Sequence, residues 1–488
     1  NGFINFYLPK DFFIDSIKNI LELGEDYGKN KIHENKKILV EHSSPNLFKP
    51  FHIGHVMNNA IGESITRLAR YSGASVTEIS YPSDVSYGIG KAVWAFLEDG
   101  IIKLDEYKTQ EEKLGYLGEC YVKGTKALEE DPTLEQRMRE ITKNIYDKIE
   151  SVEYEAYKIG REINLEYFKY MTQRLGSHFD DFIFESEAGT EGEVLVRANI
   201  GGIFEESEGA VVYKGEQDGL HTRVFINKEG YPTYEAKDVG LLSLKFSRYN
   251  TDLSIFITDH EQSEYFKVVV SASGKINKNW QDRTVHRTHG RMSFKGQKMS
   301  SRLGGVPIAS VLLSTISDEV KDKAKEISND IVDMISISAL KFAILRSMAG
   351  KNINFDPDTS LSFEGDSGPY LQYSTVRANS ILEKIKENNI APINKDNLEN
   401  KEIQITDLER YLARFPDVVA HSIYLWEPHH IVTYLVELAQ SFNSWYAHTR
   451  VIDEQNKNMH YNVAVVKAFH ITMQNGLYLL GIKVPEKM

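Results

Sequence analysis

The chain has 488 residues, 41% hydrophobic and 26% charged, with a formal net charge of −13. This is the balance of an ordinary soluble globular protein, long enough for roughly three domains, and its overall acidity argues against a general nucleic-acid binder. No apolar run approaches a membrane span. The single Cys120 excludes internal disulfides and fits a reducing cytoplasm, and no Cys/His cluster has zinc spacing.

The chain opens on Asn1 rather than Met, and residues 1–8, NGFINFYL, read as the tail of an upstream element; no signal peptide is seen. Residues 11–30 read as a helix leading into a buried strand at Ile38–Val40. A Ser/Pro/Asn loop then reaches His52-Ile53-Gly54-His55, where a helix begins; Ile61, Ile65, Leu68 and Ala69 keep its apolar spacing and Gly73 closes it. Val76–Ile79 is the next strand. Strand, helix and strand make the unit of a parallel sheet, and a ligand there sits at the strands' carboxyl ends, against the helix N-terminus. Two His rings flanking a Gly suit a polyphosphate: the rings donate hydrogen bonds, the helix start attracts anions, and Gly54 lets a flat ring approach the backbone.

From about 96 to 178 the sequence is charged and helical and interrupts the sheet. The sheet returns at Phe182-Ile183-Phe184. Residues 188–230 are Gly-rich with β-type runs at 210–213 and 222–226, and the Lys228-Glu229-Gly230 turn predicts a hairpin. A helix follows with Asp238 in its early turns, then a buried strand at 253–257 with Gln262 after it. His286–Met292 leads into a Gly-flanked loop carrying Lys298-Met299-Ser300-Ser301-Arg302. A mobile Lys there suits the charge that develops at a reacting phosphate. Between Lys275 and Arg302 the only acid is Asp282, so this stretch reads as an anion-binding rim. After a hinge-like segment at 354–370 the chain reads as a bundle of about five helices, broken by a polar loop at 388–405.

His-Ile-Gly-His after the first strand and Lys-Met-Ser-Ser-Arg after the last resemble the two signatures of class I aminoacyl-tRNA synthetases. SSPNLFKPFHIGH, SFEGDSGPYLQYSTVRANSIL, EPHHIVTYLVELAQSFNSWYAHTRVI and the closing NGLYLLGIKVPEKM are similar to segments of the arginyl-tRNA synthetase family, so the resemblance covers nearly the whole chain. It implies an α/β fold: a Rossmann-type parallel-sheet catalytic domain over 31–350, with insertions at about 96–178 and 188–230. An all-α helical-bundle anticodon-binding domain would follow over 351–488, with 1–30 the remnant of an N-terminal domain and its linker helix. It implies arginine–tRNA ligase activity, with ATP, arginine and tRNA(Arg) as partners, Mg²⁺ travelling with ATP rather than in a protein cage, and a cytoplasmic, membrane-free monomer.

The resemblance also assigns residues. His52, His55, Lys298 and Ser300 would be catalytic, and Gly54, Met299 and Ser301 would join His52, His55 and Lys298 in holding ATP. A guanidinium needs carboxylates placed for paired hydrogen bonds; the matching positions are Glu185 and Asp238, with Tyr234 beside them. Ser44, Asn46 and Gln262 would hold the amino-acid end. Tyr370, Gln372, Arg377, Trp445, Tyr446 and Arg450 would meet RNA, by stacking and phosphate contacts. No resident metal ligand is assigned. The chain departs from the family at Val56-Met57-Asn58, where an Arg is common, and at Asp84-Val85-Ser86-Tyr87-Gly88-Ile89-Gly90, which lacks a Gln. A silent tRNA-binding paralogue would be favoured by loss of a motif His or of Lys298, and none is lost. A nucleotidylyltransferase sharing His-x-Gly-His would lack residues 370–488.

Overall fold

The computed structural model describes residues 7–295, 307–323, 327–388 and 403–488. Lys298, Met299, Ser300, Ser301 and Arg302, and most of the polar loop at 388–405, lie outside the described residues. The ten described strands are β1 (Lys37–Glu41), β2 (Ser75–Ser80), β3 (Asp181–Phe182), β4 (Glu205–Ser207), β5 (Ala210–Tyr213), β6 (Arg223–Ile226), β7 (Leu253–Asp259), β8 (Thr284–His289), β9 (Met292–Phe294) and β10 (Ile353–Phe355). Five of them form one parallel sheet in the order β3-β2-β1-β7-β8. β1 is central, and its Ile38, Leu39 and Val40 are buried on both faces, as a covered parallel strand requires. All five strands deliver their carboxyl ends to one edge. There Glu41, Tyr81, Ile183 and His289 end or follow a strand, and β1 sits where the connections diverge to left and right, the usual place for a ligand.

The helices run α1 (Lys10–Leu23), α2 (Ile53–Tyr71), α3 (Tyr87–Asp99), α4 (Gln110–Glu130), α5 (Glu135–Tyr146), α6 (Val152–Arg174), α7 (Glu185–Ala198), α8 (Tyr234–Tyr249), α9 (Ser263–Ile276), α10 (Ala309–Lys323), α11 (Asn329–Leu345), α12 (Gly368–Glu387), α13 (Asp407–Leu425), α14 (His429–His448) and α15 (Met459–Leu479). The helical insertion is α4 to α6. The second insertion starts later than its sequence suggests: residues 185–198 are helical, and the β structure is confined to the antiparallel sheet β4-β5-β6. The reason is packing. Gly192 on α7 and Gly240 on α8 let the two helices touch backbone to backbone; a Cβ at Gly192 would lie 1.9 Å from the Ala236 carbonyl oxygen, and one at Gly240 would lie 2.0 Å from that of Ala188.

The N-terminal helix packs against the C-terminal helices. α1 lies against α13 and α15, the Tyr27 hydroxyl donates to the Leu412 carbonyl (2.8 Å), and Asn475 Nδ2 donates to the Gly24 carbonyl (2.9 Å). α1 therefore completes a bundle with α12 to α15. The chain's last turn ties that bundle to the catalytic half through Ser64, Arg67 and Lys341, and to α12 through Gln372. Ser64 Oγ donates to Leu479 O (2.7 Å), Arg67 Nη1 to Tyr478 O (2.7 Å), Lys341 Nζ to Gly481 O (2.9 Å) and Gln372 Nε2 to Lys483 O (2.6 Å).

Candidate active site

The site begins at the head of α2. His52 is its N-cap, with extended backbone, and its Nδ1 accepts from Gly54 N–H (3.1 Å); His55 Nδ1 accepts from His52 N–H (3.1 Å). Each backbone donor thus fixes the tautomer of one ring: Nδ1 holds the lone pair and Nε2 carries the proton. The rings stack at 3.9 Å. Burial lowers the pKa of both, with Lys49 and then His289 adding to this at His52, and His52 and His289 at His55. The result is two neutral imidazoles with Nε2–H donors at the head of a helix, a combination chemically suited to phosphate. Gly54 serves this arrangement more than a ligand's approach, since a Cβ there would meet the His52 ring at 3.0 Å.

The loop carrying the second motif is flanked by anchored segments, the upstream one on β10 and the downstream one on the first motif. Its upstream flank leaves β9, where Lys295 N donates to Phe355 O (2.9 Å), and downstream Pro307 O accepts from Ile53 N (2.9 Å) while Ala309 N donates to Phe51 O (2.8 Å). Lys298, Met299, Ser300 and Ser301 themselves lie outside the described residues. The described cations of the basic stretch are mostly paired with surface acids or carbonyls. Lys275 pairs with Asp218, Lys278 with Asp282, Arg291 with Glu261 and Lys295 with Asp356, and Arg287 donates to the Leu425 carbonyl.

A cluster of acidic side chains gathers around Tyr81, after the carboxyl end of β2. Glu185 opens α7, and Asp84 caps that helix, its carboxylate accepting from Ser186 N and Oγ (both 2.8 Å) and from the Tyr157 hydroxyl (3.2 Å). Asp238 sits in the early turns of α8, which packs antiparallel to α7 through Gly192 and Gly240, and the Lys237 side chain reaches from there to Glu185 at the start of α7. Tyr81 lies among these acids: burial, then Asp238, Glu185, Glu41 and Asp84, push its phenol well above 10. Asp238 is partly buried and accepts from the Tyr265 hydroxyl (2.5 Å). Burial lifts its pKa from 3.8 to about 7; Tyr265 and Lys245 pull it down, while Glu41 and Glu185 push it up. Glu185 is 2% exposed and pairs with Lys237, and Glu41 pairs with the buried Lys245.

The remaining candidates divide. Tyr234 is 62% exposed and stands at the mouth, with Lys237 Nζ 5.2 Å from its ring centre. Ser44 Oγ accepts from Tyr81 N (3.2 Å), Asn46 bridges Ser83, and Gln262 is exposed at the start of α9. Tyr370 and Gln372 are corrected as RNA contacts: they are 8% and 0% exposed, Tyr370 accepts from Asn443, and Gln372 ties the chain's last turn to α12. Arg377 donates to Asn443 Oδ1 (2.6 Å) and stands over the rings of Tyr373 and Tyr446. Trp445 packs partly on the core, and Arg450 is exposed.

Residues 16–356 match the family described as tRNA synthetases class I (R), catalytic domain, and residues 371–488 match the DALR anticodon binding domain. Over its full length the chain is 31% identical to the arginine–tRNA ligase of Clostridium acetobutylicum, spanning 86% of that relative, and 30% identical to that of Clostridium perfringens, again spanning 86%. The chain belongs to the arginine–tRNA ligase family. Its fold also matches the Thermus thermophilus arginyl-tRNA synthetase at a TM-score of 0.78 and 23% identity, covering 97% of this chain and 86% of that one. A Campylobacter jejuni structure titled a putative arginyl-tRNA synthetase matches at 0.72 and 19%, covering 99% and 100%.

Within this arginine–tRNA ligase, several site residues carry no motif. His289, at the end of β8, lies close enough to affect both motif histidines, and its Nδ1 faces the Gly290 carbonyl (2.8 Å). Asn58 locks the loop after β1 to β7, accepting from Ser43 N (2.7 Å) and donating to Ile257 O (2.6 Å). Glu41, Tyr81 and Asp84 complete the acid pocket. A polar residue ending a buried parallel strand is the signal that marks Glu41, and it needs the sheet order to be read. Among the described residues no helix is long and apolar enough to cross a membrane.

Proposed function

We propose that the two ends of this edge divide the work of arginine activation. ATP lies over the start of α2, its phosphates taking the Nε2–H donors of His52 and His55 with Lys298 closing from the second motif. Arginine inserts its guanidinium among Glu185, Asp238 and Glu41, with Tyr234 at the mouth and Ser44, Asn46 and Gln262 toward its amino and carboxylate groups. The arginine carboxylate attacks the α-phosphorus, pyrophosphate departs, and arginyl-adenylate remains; the 3′-terminal ribose of tRNA(Arg) then takes the arginyl group and AMP leaves. The donors meet charge that grows during the step, where each is worth about 10²–10³ in rate.

The single observation carrying this reading is the pairing on one sheet edge of neutral, tautomer-fixed imidazoles with a pocket of buried carboxylates. One end suits a polyphosphate and the other a planar cation. Mg²⁺ enters with the ATP phosphates. The one cluster of metal-ligand type among the described residues, His42, Glu63 and Glu78, does not fit it. Glu78 already pairs with His42 (2.9 Å) and Arg70 (3.2 Å), and Glu63 pairs with Arg67, so two guanidiniums balance the two carboxylates. In the helical domain, Arg377, Trp445, Tyr446 and Arg450 are the residues we propose for RNA. The enzyme is proposed to work as a cytoplasmic monomer, the buried free Cys120 fitting a reducing compartment. The test is ATP–pyrophosphate exchange driven by arginine, with and without tRNA(Arg), followed by charging of that tRNA. Exchange and charging with arginine are expected; neither appearing with arginine and tRNA together would end the proposal.

A further inference from the structure

Asp84 is taken up by Ser186 and Tyr157; the other three carboxylates, Glu41, Asp238 and Glu185, have partners that differ in how easily they leave. Glu41 is held by Lys245, whose side chain is 2% exposed and lies over the Phe256 ring at 5.1 Å. Asp238 is held by the Tyr265 hydroxyl. Glu185 is held by Lys237, and this pair has a different setting. Lys237 is in the first turn of α8, three residues from the exposed Tyr234 and next to Asp238. While it holds Glu185, its ammonium also lies 5.2 Å from the ring centre of the exposed Tyr234, so the pair sits against an aromatic face that borders solvent.

From this juxtaposition we infer that Lys237 is a tethered competitor for the guanidinium seat on Glu185, displaced by the incoming substrate side chain, and so a determinant of specificity. The inference rests on the reading of Glu185 as part of the arginine pocket. A carboxylate as buried as Glu185 needs a cation whenever the pocket is empty, and Lys237 supplies it. A guanidinium replaces that ammonium because its planar fork makes two parallel hydrogen bonds to a carboxylate where an ammonium makes a point contact. A free amino acid ending in an ammonium offers Glu185 only what Lys237 already gives. It must also compete with a tethered group whose effective concentration is about millimolar or higher. A neutral urea end offers less still. Lys237 thereby screens entering side chains by geometry as well as by charge. The displaced ammonium swings on its flexible stem toward the solvent.

The test uses Lys237→Met and Lys237→Gln in the full chain, read by arginine-dependent ATP–pyrophosphate exchange with tRNA(Arg) present and lysine added as competitive inhibitor. Removing the competitor should lower the KM for arginine about fivefold, the scale of one partly screened like-charge contact. It should lower the inhibition constant of lysine by more, about tenfold, shrinking the discrimination. A purely structural role for Lys237 in holding Glu185 would raise the KM for arginine, and that result, or an unchanged lysine inhibition constant in both variants, overturns the inference. Glu185→Gln separates the two readings. If it keeps wild-type arginine activation, the pocket assignment itself fails. If it loses arginine activation while both Lys237 variants bind arginine and lysine as wild type does, only the displacement fails.

Discussion

Asp238 should make arginine binding depend on pH within the physiological range. Its carboxyl is lifted from 3.8 to about 7, by burial first and then by Glu41 and Glu185. In the proposed pocket the guanidinium pairs with the ionised form, so a protonated Asp238 would have to release its proton before arginine binds. With a value near 7, the ionised fraction is about nine-tenths at pH 8 and about one-tenth at pH 6, so the KM for arginine should rise about tenfold between them. The KM for ATP should stay nearly level, because the imidazoles of His52 and His55 are held neutral. The sign for stability runs the other way. A carboxyl raised in the folded state favours folding below its unfolded value of 3.8, and that advantage is lost as pH climbs through 7. At about 1.4 kcal/mol per pH unit the full cost at pH 8 is on the order of 4 kcal/mol; Asp238 keeps some contact with water, so about 1–2 kcal/mol is the expected gain from Asp238→Asn. That variant should melt higher than wild type at pH 8, keep the Tyr265 hydrogen bond, lose most of its kcat/KM for arginine, and show a flat arginine KM from pH 6 to 8. Exchange kinetics with tRNA present and thermal melts at the two pH values check this. A wild-type KM for arginine that does not move between pH 6 and 8 would refute the reasoning.

Other outcomes follow from the same geometry. His52→Ala removes a phosphate donor and the N-cap of α2 together, so activation should fall about 10²–10³-fold while stability drops by only about 1 kcal/mol, read by exchange rate and denaturant melt. Lys298→Ala should cost a similar factor in activation rate with an unchanged melt; wild-type activation would remove it from the site. Gly240→Ala puts a methyl into the Ala188 carbonyl, forcing α7 and α8 apart; about 1–3 kcal/mol of stability and a marked rise in the arginine KM should be lost and gained together. Removing residues 478–488 should destabilise the catalytic half as well as the bundle, because Arg67, Ser64, Lys341 and Gln372 lose their carbonyl acceptors. Whole-domain deletion is therefore a poor probe of anticodon reading, and Arg450→Ala assayed by tRNA charging at two salt concentrations is the cleaner one.

The parallel sheet was legible because its strands are short apolar runs separated by helical periodicity, and the head of α2 because a motif marks it. α7 was misread because Gly189 and Gly192 look like loop residues; only the pairing with α8 shows that they are contact surface. The ion pairs of the basic stretch are not legible, because sequence shows charges without partners: Asp218, Glu261 and Asp356 lie 57, 30 and 61 residues from the cations they pair with. Gln372 and Tyr370 sit in a family-like segment, but their role is set by the chain's last turn, far off in sequence. The acid pocket was half legible. Glu185 and Asp238 came from the resemblance, while Glu41, Tyr81 and Asp84 depend on which strand ends meet.

The central claim is that a guanidinium is read by buried carboxylates at the strand ends. Its most direct test is ATP–pyrophosphate exchange, with tRNA(Arg) present, offered arginine, lysine and citrulline in turn. Lysine has the charge without the planar fork, and citrulline has nearly the shape without the charge. Buried polar pairing of this kind discriminates by about 10⁴–10⁵ without editing. Exchange is expected with arginine, with both rivals lower by that order, and the gap to citrulline should narrow in Asp238→Asn. Citrulline driving exchange at a rate comparable to arginine in the wild-type enzyme would contradict it.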